Sequence, residues 1–156
     1  MPGQQEFTVM RVTTLQRPFR HVILALLIAL LAVPFGPARA DNPYAVAGIS
    51  DPAQVTQFVV RLKQAVAADD RAAITGMVNY PLRVNSVAGR PTFYRNAAAL
   101  RANYARVFTP DIKEAVAATK PDNLFARDLG IMIGNGEIWM NEFGGSMKIM
   151  TINHTR

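Results

Sequence analysis

The chain has 156 residues, enough for one ordinary domain, with a net charge of +6 and no cysteine. The lack of cysteine excludes disulfides, a thiol nucleophile, thiolate metal sites and a lipid-modified cysteine. The charge is divided: residues 1–40 hold Arg11, Arg17, Arg20 and Arg39 against Glu6, and the rest holds thirteen Lys and Arg against ten Asp and Glu, with no adjacent basic run to mark a nucleic-acid face.

Residues 11–21 are basic, and Val22–Val33 follows as an uninterrupted apolar run of twelve. Pro34 and Gly36 break that run, and Ala38-Arg39-Ala40 sets small residues where a signal peptidase reads them. This order predicts a cleavable secretory signal over residues 1–40, with cleavage after Ala40 and a periplasmic or secreted product. A retained anchor is the alternative, but a spanning helix needs about 20 apolar residues. The expected membrane contact is therefore transient, through the signal alone. There is no adjacent arginine pair for a twin-arginine route, and Met10 offers a second possible start.

Residues 41–50 read as a short tail, and 51–156 as one domain. Asp51-Pro52 is a helix cap followed by proline at the first helical position. Val55, Phe58, Val59, Leu62 and Val66 then form one apolar stripe. Asp69-Asp70 interrupts the pattern and caps a second short helix, with Ile74, Met77 and Val78 on its buried side. Residues 79–85 read as a strand. Pro81 places it at an edge or start, and Leu82 and Val84 alternate with Arg83. After a turn at 88–90, residues 92–94 return as a second strand. Asn96 caps a third helix with Leu100, Tyr104, Val107 and Phe108 inward, and Thr109-Pro110 begins a fourth with Ile112 and Val116 inward. From Leu124 the pattern is β. Asn135-Gly136 predicts a type I′ hairpin that pairs Ile133 with Ile138 and Ile131 with Met140, leaving Met132, Gly134, Glu137 and Trp139 on the other face. Gly144-Gly145 turns the chain into a last strand over 147–153.

Helices followed by a meander predict an α+β domain, with N-terminal helices packed on a curved antiparallel sheet. The stretches MVNYPLRVN (77–85), NAAALRANYARVFTPDIKEAV (96–116) and LGIMIGNGEIWM (129–140) resemble the nuclear transport factor 2-like (cystatin-like α+β cone) superfamily, in particular small bacterial periplasmic members. The resemblance covers nearly all of residues 41–156. It implies a sheet curled around a pocket, used by some members catalytically with an aspartate or histidine base and by others for binding. Here no aspartate matches a base position, and His154, the one histidine beyond residue 40, lies near the C-terminus and is expected to be exposed.

The residues to follow are Tyr80, Arg83, Tyr94, Tyr104, Glu137 and Trp139, an aromatic wall with a few convergent polar groups. Glu137 and Trp139 are expected to face the pocket interior, and Arg83 to meet an anionic group. Core packing accounts equally for the aromatics, and cross-strand or surface roles for the charges. Neither a metal nor a cofactor is expected. The reading is a binding domain for a small ligand or a protein partner, with a homodimer among the possibilities. The alternatives are a small isomerase, dehydratase or hydrolase with Glu137 as acid/base, and a periplasmic immunity or inhibitor protein.

Overall fold

A computed structural model describes residues 42–122 and 124–155. The expected secretory signal and its expected cleavage position, together with Asp41, lie outside the described residues. Asn42–Ser50 forms a short lead-in with a single 3-10 turn at Ala45–Ala47, and it buries Tyr44 and Ile49. Helix α1 (Pro52–Ala67) starts where the Asp51 carboxylate accepts the Ala53 N–H at 2.9 Å. Its stripe of Val55, Phe58, Val59, Leu62 and Val66 is buried. Helix α2 (Arg71–Gly76) is capped by Asp70, which accepts from the Ala73 N–H.

Strands β1 (Val78–Asn85) and β2 (Thr92–Tyr94) form a hairpin, followed by α3 (Ala97–Ala102), α4 (Tyr104–Val107) and α5 (Pro110–Ala118). Strands β3 (Phe125–Arg127), β4 (Gly130–Ile133), β5 (Ile138–Phe143) and β6 (Ser146–Asn153) complete one six-stranded sheet in the order β2-β1-β6-β5-β4-β3. The sheet is open, with β2 and β3 at its edges. Leu82, Val84, Ile131, Ile133, Ile138, Met140, Ile149 and Ile152 are buried from its strands. They join the inward residues of α1, α4 and α5 in one core. Among the described residues no helix is long and apolar enough to cross a membrane.

The domain is α+β, but its sheet is mixed where an antiparallel one was expected. β1 and β6 pair in parallel, and every other pair is antiparallel. Parallel pairing needs a long connection, and the helices plus the β3–β5 meander supply it. This also puts β1 inside the sheet, where Pro81 had suggested an edge or start. Pro81 is accommodated because the β1–β6 register breaks between Val78 and Arg83, so its missing N–H falls outside the regular ladder. The β5–β6 register shifts between Trp139 and Met140, which leaves Met150 unpaired there as well. Bulges of this kind bend the strand that carries them.

The helix expected from Asn96 to Phe108 is two. Asn103 breaks it, donating its side-chain amide to the Ala99 carbonyl at 3.0 Å and leaving the helical region with ψ 17°. The β4–β5 register is the one read from the sequence, yet the turn is not type I′. A type I′ turn needs positive φ at both central residues, and among described non-glycine residues that conformation occurs at Asp69, not Asn135. Gly134 (φ 70°) and Gly136 (φ 112°) take the left-handed positions in a four-residue loop. The Glu137 carboxylate closes it by accepting the Asn135 N–H.

Candidate functional site

A cleft of about 380 Å³ lies between α5 and the β3–β5 end of the sheet. Asp111, Glu114, Ala115 and Ala118 of α5 form one wall, with Thr119 and Lys120 beyond it. Leu124, Phe125, Met132, Gly134, Asn135 and Glu137 form the other, and Thr155 closes one side. Proline at the first position of α5 sets its start, and Ile112 and Val116 turn into the core. Asp111 and Glu114, three residues apart on the exposed side, are thereby aimed at the cleft. The C-terminal end of α5 is held by Lys63, whose ammonium donates to the Thr119 carbonyl at 2.6 Å.

Glu137 is a buried polar group of this cleft, as is Thr119, with 9 % of the Glu137 surface exposed. One carboxylate oxygen accepts from the Asn135 N–H and the other from the Thr155 hydroxyl at 3.3 Å. Gly134 makes room for it. A Cβ at that position would overlap the Glu137 carboxylate and lie 3.1 Å from the Ala115 methyl. Among the described residues the cleft thus presents three carboxylates against one ammonium, Lys120, with Leu124, Phe125 and Met132 as its apolar lining. Among the described residues no group of three His, Cys, Asp or Glu side chains is arranged to hold a metal ion. An acidic cleft with a few polar groups suits a small organic cation.

Of the six residues singled out from sequence, Glu137 lines this cleft and the other five do not. Arg83 reaches the Glu137 loop indirectly. Its Nε donates to Asn85 Oδ1 (2.9 Å), Asn85 Nδ2 donates to Asn153 Oδ1 (2.6 Å), and Asn153 Nδ2 donates to the Gly136 carbonyl (2.6 Å). On the sheet surface opposite the core, register sets Phe93, Arg83, Thr151, Trp139, Met132 and Phe125 in one row across all six strands. Trp139 therefore neighbours Thr151 and Met132 on the open face, while Glu137 turns into the cleft from the loop. Tyr80 is half-buried and donates to the Thr75 carbonyl at 2.9 Å, and burial pushes its phenol above the ordinary tyrosine range. Tyr94 is half-buried opposite Leu82.

Tyr104 is a core residue, stacked on Phe108 with ring centroids 5.0 Å apart. Arg71 and Lys113 lie over its ring at 4.9 and 5.3 Å, and Asp69 bridges both cations. His154, expected to be exposed, is half-buried. Its N–H donates to the Asn85 carbonyl at 2.9 Å, and its ring Nε2 lies 3.1 Å from the Val107 carbonyl.

Asp111 and Glu114 were missed as site residues because a charged helix face reads as solvated surface. The available signal was their three-residue spacing on the face opposite Ile112 and Val116. Comparison of the chain with protein-family models, with curated proteins and with solved structures finds no match.

Proposed function

We propose that this domain is an exported binding protein that holds a small organic cation in the cleft between α5 and the β4–β5 loop. The carrying observation is the buried Glu137 carboxylate in a cleft also lined by Asp111 and Glu114. Export rests on the basic, apolar and small-residue order of residues 11–40. A cone-like fold rests on the resemblance of the three stretches named above and agrees with the order of helices and strands. Both Glu137 oxygens are engaged in holding the loop and Thr155, which favours binding over proton exchange with a substrate.

The test is calorimetric titration with small primary amines and with carboxylates of the same carbon skeleton. The amines are expected to bind, and Glu114→Gln to weaken them several-fold without altering thermal stability. Gly134→Ala, which displaces the Glu137 carboxylate, is expected to weaken them further. Equal affinity for amines and carboxylates ends the reading. Turnover abolished by Glu137→Gln in a folded protein replaces it with the catalytic one. The protein-partner reading belongs to the open sheet face, where Phe93 is exposed at the end of the row away from the cleft. Sedimentation of a dimer dissociated by Phe93→Ser supports it, and a monomer at all concentrations removes it.

A further inference from the structure

A second cleft, of about 320 Å³, lies at the other end of β5, between α1 and the β5–β6 turn. Its floor is apolar: Phe58 from α1, Met77 from the end of α2, and Met147 from β6. Its walls are polar, and they differ in sign from those of the first cleft. Gln54, Gln57 and Arg61 descend one side of α1 at helical spacing, and Ser146 and Lys148 stand across from them. Among the described residues no carboxylate lines this cleft.

Among the described residues Arg61 and Lys148 are both free of a carboxylate partner, as are most of the described Lys and Arg side chains. Arg71, Lys113 and Arg127 each lie within salt-bridge distance of an aspartate. The Lys148 ammonium donates to the Gly76 carbonyl at 2.8 Å, which fixes its position and leaves two of its three donors for another acceptor. Arg61 brings the planar fork that matches a carboxylate or phosphate in two-point contact. Two cations fixed to different elements at the rim of a concave apolar surface concentrate positive potential there.

We infer that this cleft is an anion site taking a carboxylate that carries a short unbranched apolar chain. The head would lie between Arg61 and Lys148 within reach of the Gln54, Gln57 and Ser146 side chains. The chain would lie on Phe58, Met77 and Met147. The inference does not depend on the first cleft, which is acidic and distant along β5.

Calorimetric titration of the protein with octanoate, octylammonium and octanol tests it, with amide NMR shifts locating the site. Octanoate is expected to saturate, to weaken as salt rises, and to shift the amides of residues 54–61 and 145–148. Arg61→Gln is expected to lower octanoate affinity about tenfold, the scale of one lost charge-assisted hydrogen bond, and Arg61→Lys to restore part of it. Arg61 is exposed, so melting curves of these variants should superpose on that of the parent. Glu114→Gln, in the first cleft, should leave octanoate binding unchanged. Octylammonium binding as tightly as octanoate, affinity unmoved by Arg61→Gln, or no saturation with octanoate would each overturn the site.

Discussion

Among the described residues the Tyr104 hydroxyl finds no hydrogen-bond partner, although the residue is only 2 % exposed. A buried polar group without a partner costs about 1–3 kcal/mol, so its retention needs another reason. The ring supplies one: stacked on Phe108 and flanked by two cations, it works through its π face. A phenylalanine would keep most of that. Tyr104→Phe is expected to leave stability at neutral pH unchanged or higher by about 1 kcal/mol in urea melts. The larger effect comes in alkali. Burial first, and the Asp69 charge second, push the phenol from 10 up to about 12, against an opposing pull from Arg71. The fold therefore favours the neutral phenol. That contribution is complete below pH 10 and drains away as the pH climbs towards 12. Melts between about pH 9 and 11 should show a shallower alkaline decline for Tyr104→Phe than for the parent. An unchanged decline would assign the loss elsewhere, with Tyr80, also raised by burial, the first alternative.

Between elements, Asp69 is the pin that joins α1, α2 and α5. Its backbone has φ 47°, a left-handed conformation that aspartate tolerates better than most residues. Its N–H donates to the Val66 carbonyl, which closes the end of α1. Its carboxylate meets Lys113 of α5 at 2.7 Å and Arg71 of α2 at 3.0 Å. Hydrogen bonds from Lys113, then from Arg71, hold that carboxyl below the ordinary value of 3.8. A lowered carboxyl stabilises the fold above its unfolded pKa, and the contribution is lost as pH falls through the folded one. Asp69→Asn should lower stability modestly at neutrality, the loss being small because the site is open to solvent, and should differ less from the parent as pH falls below about 4, so that the acid limb flattens. A full acid limb in Asp69→Asn would contradict this. The caps at Asp51, Asp70 and Asn96, the α1 stripe and the β4–β5 register were legible in the sequence, because each depends on residues a few positions apart. The break at Asn103 and the form of the 134–137 loop were not. The first turns on a side chain bonding back to Ala99, and the second on the Glu137 carboxylate folding under its own loop.

At the scale of the molecule, β6 decides the architecture. It lies between β1 and β5, so the described chain's last strand is an interior strand of the sheet. Nothing local announces this: residues 147–153 read as an ordinary final strand, and their parallel partner lies about seventy residues earlier. The open cleft was equally hidden, because it exists only once α5 is set beside the β4–β5 loop. A chain ending at Gly145 should therefore lose more than one strand. The β1–β2 hairpin and the β3–β5 meander would each face the gap with unpaired backbone and exposed apolar side chains. Circular dichroism and limited proteolysis are expected to show no cooperative unfolding for that chain. A sharp thermal transition would contradict the central role of β6. The same arrangement sets a timetable during synthesis. A ribosome releases the chain from its amino end, so the strand that joins the two halves arrives after everything it must join. Until then the nascent polypeptide has helices and hairpins without the surface that locks them together. On the export proposed above, a translocation channel that admits extended chain but rejects finished domains would meet this one before it has closed.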